Sequence, residues 1–138
     1  MKIIQVVGRS NSGKTTFIKS LIPELKKQGR VAVIKHLGDH EFILEKGKDT
    51  TGFFNSGAEI SVGIDDIKAV IAIRKAALNT ILQLLHKEQM DFVIIEGYKQ
   101  QPFPRIVIGD LPTDHVVLKN PLPQKVVDSL GLFHTYGE

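Results

Sequence analysis

A short apolar segment, Ile3–Val7, runs directly into Gly8-Arg9-Ser10-Asn11-Ser12-Gly13-Lys14-Thr15, and behind it Phe17, Leu21 and Leu25 recur at four-residue spacing. The segment reads as a strand buried on both faces, and the spacing reads as a helix with one apolar side. The eight residues between them match G-x-x-x-x-G-K-[ST] at every position. The two glycines let the backbone wrap closely, so that successive amide N–H groups point at one anion. The following helix presents its positive end to the same point. Lys14 would reach the outer phosphates of a nucleotide, the Thr15 hydroxyl would ligate Mg2+, and Thr16 would contact an inner phosphate. Strand, phosphate loop and helix in this order commit the chain to an α/β fold, a P-loop NTPase-like three-layer sandwich around a mostly parallel sheet.

The rest of the pattern agrees with that class. Val31–Ile34, Phe92–Ile95 and Ile106–Ile108 read as further buried strands, and Ile60–Ile64 and Ala69–Ile73 as two strands joined at Asp65-Asp66. Lys75–Lys87 reads as a helix with Leu78, Ile81, Leu82 and Leu85 on one side. Pro23 predicts a kink or early stop in the first helix, and Asp49-Thr50-Thr51 predicts a short helix ended by Gly57. Pro102, Pro104, Pro112, Pro121 and Pro123 punctuate the last third, where short elements are expected. With 138 residues and no repeat or linker, a single nucleotide-binding domain spanning 1–138 is expected.

Composition narrows the function classes. The chain has no cysteine, which excludes disulfides, thiolate metal sites and cysteine nucleophiles. Eighteen basic against 15 acidic side chains leave a formal net charge of +3. That mild excess favours an anionic ligand, but it forms neither the basic stripe nor the interleaved aromatics that nucleic acid would need. No apolar run approaches the roughly 20 residues of a membrane span, and the first apolar run is too short for a leader, so a cytoplasmic location with no membrane partner is expected.

A phosphate loop needs a second acidic group for its metal, ordinarily at the end of another buried strand. Phe92-Val93-Ile94-Ile95 leads to Glu96, placing that carboxylate at the crevice where open α/β sheets bind ligands. The alternative is a solvated loop glutamate. Lys35 and His36 end the second strand and should emerge at the same crevice, followed by a polar segment up to Thr50 that suits a mobile binding loop. His36 and His40 have the spacing of two helical metal ligands, but Gly38 lies between them and no third ligand is evident, which disfavours zinc. Asp49 could bind Mg2+ through water or cap a helix. Base recognition is poorly marked: Leu118-Lys119-Asn120-Pro121 only echoes a guanine-reading motif, and Asp110 is the other candidate.

Taken together, these residues resemble the molybdopterin-guanine dinucleotide biosynthesis protein B family, MobB. The resemblance rests on Val7-Gly8 through Thr16, Val33-Ile34-Lys35-His36 with His40, Gly47-Lys48-Asp49-Thr50, Ser56-Gly57-Ala58 and Ile95-Glu96-Gly97-Tyr98-Lys99. The phosphate loop alone is widespread, and the other elements make the likeness specific. It implies a GTP-binding protein with weak intrinsic GTPase activity, a homodimer, and an adapter in molybdenum cofactor biosynthesis. Its partner would be a MobA-like guanylyltransferase that joins GMP to molybdopterin. By position, Gly8, Arg9, Ser10, Asn11, Ser12, Gly13, Lys14, Thr15 and Thr16 would hold the phosphates, with Lys35, His36 and Lys99 lining the site. Thr15, Glu96 and Asp49 would serve the metal, and Lys14 and Glu96 would act in catalysis. Beyond Lys99 no family pattern is recognised.

Two other functions use the same loop. A small-molecule kinase acting on ATP would need a second substrate pocket and an arginine-rich lid, yet only Arg9, Arg30, Arg74 and Arg105 are present, without a cluster. A non-catalytic scaffold would change the order of segment 36–50 with ligand and would differ only in turnover.

Overall fold

In the computed structural model, which describes all 138 residues, the elements run β1 (Lys2–Val7), α1 (Lys14–Lys26), β2 (Val31–Lys35), α2 (Asp49–Asn55), β3 (Ile60–Ile64), β4 (Ala69–Ile73), α3 (Leu78–Lys87), β5 (Phe92–Glu96), β6 (Arg105–Val107), β7 (Val116–Lys119), α4 (Pro123–Val127) and β8 (His134–Thr135). The main sheet has the order β2-β5-β1-β6-β7, every neighbour on that path being parallel. β8 pairs antiparallel with the start of β1, Lys2 opposite Thr135 and Ile3 opposite His134.

Alternation along the central strands divides the core between the two faces of the sheet. Ile4, Val6, Ile94 and Ile106 point to one face, where they meet Phe17, Ile18, Leu21 and Leu25 of α1 together with Val126 of α4 and Phe133. Ile3, Val93 and Ile95 point to the other, where Leu82 of α3 closes a smaller cluster edged by Tyr98 and Phe103. Helices on both faces of one parallel sheet make the three-layer α/β sandwich that the phosphate loop demands. β3 and β4 stand apart as a two-stranded antiparallel sheet. This hairpin is tied to α2 where Ser61 Oγ donates to Thr50 O at 2.7 Å and the Arg74 guanidinium lies 4.0 Å over the Phe54 ring.

Four details differ from the sequence reading. α1 does not stop at Pro23 but continues to Lys26. Pro23 and Lys19, whose carbonyl the missing N–H would have met, are both exposed, so water can take that bond. α3 begins at Leu78 rather than Lys75, because Lys75 adopts φ 54 and breaks the helical run. β6 starts one residue early, at Arg105, and ends at Val107. The last third also holds β7, α4 and β8, which were not anticipated; β8 contributes only two residues and pairs with a strand more than a hundred residues away.

Leu21 is fully buried between α1 and the sheet. Leu21→Ala should lower stability by about 2–5 kcal/mol, seen as a lower urea midpoint at constant slope. An unchanged midpoint would mean that α1 does not seal this face.

Candidate nucleotide site

Because β1, β5 and β2 run parallel, their carboxyl ends arrive together. Val6 is opposite Glu96 and Glu96 is opposite Lys35, so the phosphate loop, the acid and the first lysine are set side by side by strand register alone. Chain reversal after β1 requires Gly8: a Cβ there would lie 2.5 Å from the Ile108 carbonyl oxygen and 2.7 Å from Ser12 Oγ. Asn11 and Gly13 take left-handed backbone angles, φ 60 and 96, which curl the loop into a concave cradle of amides. Gly13 is also the N-cap of α1 and no side chain caps it, leaving the first N–H groups of the helix for an anion.

The loop forms one wall of an open cavity of about 1290 Å³, only three of whose 20 lining residues are hydrophobic. Gly8, Ser10, Asn11, Ser12, Gly13, Lys14, Thr15 and Thr16 belong to this wall, and Lys35, His36, Glu96 and Lys99 line the same cavity. Ser12 Oγ is buried inside the loop with no hydrogen-bond partner, close to the backbone of Gly8. Lys14 Nζ folds back on the loop, donating to Gly8 O at 2.7 Å and Arg9 O at 2.9 Å. Burial pushes the Lys14 ammonium below the ordinary lysine range; Glu96 opposes that shift, and Lys99 and Lys35 add to it. Glu96 is buried, with Lys35 Nζ 3.8 Å from its carboxylate. The site is therefore a basin in which three lysines surround one buried acid, electrostatically suited to a polyanion.

Two expected residues lie elsewhere. Arg9 is not in the cavity lining and pairs with Asp110 at 3.5 Å on the surface. Asp49 sits in the first turn of α2, outside the cavity, and caps no helix: the N-cap is Lys48, without a side-chain bond. His36 and His40 both line the cavity, but no group of three or more His, Asp or Glu side chains converges there. Asn120, in the weak guanine-motif echo, is engaged in holding Gly109, whose N–H it accepts at 2.7 Å and whose carbonyl it meets at 3.0 Å.

The sequence reading gave no individual role to Tyr98, which lines the cavity, and took Leu37, Gly38 and Asp39 only as part of a binding loop, where they do line it. Tyr98 stacks on His36 with ring centroids 4.0 Å apart and planes 20° from parallel. The signal was an aromatic residue directly after a glycine at a strand end. Gly97 adopts φ 92, and a Cβ there would come within 3.2 Å of His36 Cβ.

A parallel sheet with helices on both faces and a glycine-flanked amide cradle between strand and helix define a P-loop α/β protein. Residues 3–126 match the family described as Molybdopterin guanine dinucleotide synthesis protein B, MobB, and the chain belongs to that family. It is 37% identical over 128 residues to a Methanocaldococcus jannaschii protein assigned as a molybdopterin-guanine dinucleotide biosynthesis adapter, covering 86% of this chain and 54% of that one. To the Haemophilus influenzae molybdopterin-guanine dinucleotide biosynthesis adapter protein it is 32% identical over 110 residues, covering 77% and 62%. The chain thus spans between half and two-thirds of the length of these curated relatives. The crystal structure of Bacillus subtilis MobB superposes with a TM-score of 0.75 at 26% identity, each chain covered in full.

A bound polyphosphate would stabilise the charged form of Lys14. Its affinity should therefore be greatest below the Lys14 pKa of the free protein and fall as pH rises through that value, which lies below the ordinary 10.5. Titration calorimetry with pyrophosphate from pH 8 upward measures this. Lys14→Ala should flatten the decline, and a profile identical in both proteins would disconnect Lys14 from the anion.

Proposed function

We propose that the cavity binds GTP with Mg2+ and hydrolyses it slowly, and that the chain serves as an adapter in molybdopterin-guanine dinucleotide biosynthesis. The observation that carries this reading is the convergence of an amide cradle, three lysines and one buried carboxylate on a single polar cavity. The loop amides and the Ser12 hydroxyl would bind the β- and γ-phosphate oxygens, and Lys14 would exchange its two loop carbonyls for them. Mg2+ fits the donor set, since the Thr15 hydroxyl and the Glu96 carboxylate are hard oxygens beside the place of the phosphates. When bound, the metal would neutralise charge on the transferring phosphoryl group.

Membership of the family, together with relatives described as adapters in this biosynthesis, supports the adapter role. A guanylyltransferase that joins GMP to molybdopterin is the partner we propose. The chain would work as a homodimer joined through the β3–β4 hairpin, where Ile64 is 81% and Ile67 90% exposed and Val62, Val70 and Ile71 are also uncovered. None of the helices is long and apolar enough to cross a membrane.

Thermal unfolding with Mg2+ and GTP, GDP or ATP tests the nucleotide. A ligand binding only the folded state at 100 times its Kd adds about 2.7 kcal/mol, so GTP and GDP should raise the melting temperature where ATP does not. Lys14→Ala should remove the shift, and Glu96→Gln should reduce the Mg2+ dependence of hydrolysis more than stability. A shift with ATP alone would favour the kinase. Equilibrium sedimentation should give a dimer that Ile67→Asp weakens, whereas a monomeric unmutated chain would overturn the hairpin interface.

A further inference from the structure

The path from β5 to β6 poses a problem of backbone chemistry. The two strands are parallel and flank β1, so residues 97–104 must pass over β1 to join them. Parallel connections ordinarily take a dozen or more residues and a helix, which satisfies its own N–H and C=O groups. Here the crossover contains neither helix nor strand. Its carbonyls are met instead by two side chains rising from the sheet beneath. Gln5 Nε2 donates to Gly97 O at 2.8 Å and to Tyr98 O at 2.7 Å. Arg105, directly opposite Gln5 in the β1–β6 register, donates from Nη1 to Lys99 O at 3.0 Å, from Nε to Phe103 O at 3.5 Å, and from Nη2 to Gln101 O.

Both residues are costly where they stand. Gln5 is 0% and Arg105 1% exposed, in strands whose other inward positions are apolar. Gln5 Oε1 has no donor at all, and the carboxylate nearest Arg105, Asp114, is exposed and 3.8 Å away. Reversing the Gln5 amide would turn its oxygen toward two carbonyls, so its orientation is set by the crossover it holds. A buried guanidinium with so weak a counter-charge persists because its N–H groups are taken up by carbonyls and by Thr113 Oγ1 at 3.1 Å.

The held segment carries part of the candidate site. Tyr98 has φ 54, a left-handed angle disfavoured for an aromatic residue, and such angles last only where the surroundings over-determine them. From that position its ring stacks on His36, and Tyr98 and Lys99 line the cavity that the phosphate loop also lines. We propose that Gln5 and Arg105 are positioning residues of the nucleotide site: they fasten the helix-free crossover so that Tyr98 and Lys99 stand in the cavity that the phosphate loop lines. This deepens the nucleotide reading and rests on it for the affinity readout alone.

The chain has two tyrosines and no tryptophan, so Tyr136→Phe leaves Tyr98 as the sole emitter. In that background, Arg105→Lys keeps the charge but loses the planar fork, and Gln5→Met keeps the volume but loses the donors. Each should raise acrylamide quenching of Tyr98 about twofold as the ring leaves His36. Each should also weaken pyrophosphate binding about tenfold, the scale of one charge-assisted hydrogen bond. Asp114→Ala should change neither quantity. Lys14→Ala should weaken pyrophosphate binding and leave quenching unchanged. Far-UV circular dichroism checks folding, and should Arg105→Lys not fold, Gln5→Met decides. Unchanged quenching in the folded variants would overturn the clamp. Greater quenching with unchanged affinity would overturn its positioning role. If the unmutated chain binds no pyrophosphate, the nucleotide reading fails together with the affinity claim, and quenching alone then decides whether the pair holds Tyr98.

Discussion

Everything in this molecule is referred to one strand. β1 is paired in parallel on both sides, and each of its residues from Ile3 to Val7 is fully withdrawn from water. A one-residue slip would turn every side chain of the strand to the other face of the sheet and unseat both halves of the core, so its carboxyl end is fixed in space. The phosphate loop begins at that end, and Glu96 and Lys35 arrive beside it through the same ladders. Precision at the site is thus inherited from the sheet rather than built locally.

The chemistry of the cavity adds a tension that the sheet does not relieve. Lys35 and Lys99 bear on Lys14 beside Glu96, and Lys14 is held partly out of water with only carbonyl oxygens for hydrogen-bond partners. A protein pays for such crowding in stability, and a polyanion that spreads over all three ammonium groups returns it as binding free energy. The same arrangement explains why apolar ligands are poorly served here: with three hydrophobic residues in the lining, affinity has to come from charge and from backbone dipoles.

What could be read in the residues, and what could not, divides along physical lines. The phosphate loop was legible because its function is local, with glycines, lysine and threonine at fixed offsets. Glu96 was legible because an unbroken apolar run leads to it. Asp49 misled because a loop can return a residue anywhere, and it returned this one to the first turn of α2. β8 was hidden because two residues carry no periodicity and their partner lies at the opposite end of the chain. Gln5 was visible as a polar residue in an apolar strand and Arg105 lay just outside the strand read from Ile106, but the partners of both are main-chain carbonyls, which no side-chain pattern announces.

The β3–β4 hairpin has a further consequence. It shares no ladder with the main sheet, and a two-stranded sheet standing alone in water is marginal. Its order depends on α2, through Ser61 and Arg74, and on whatever covers its β-branched outer face. The chain should therefore carry two separate local stabilities. Amide exchange in β1 and β5 would follow global unfolding, whereas exchange in the hairpin would proceed by its own opening, at a rate that leaves the main sheet closed.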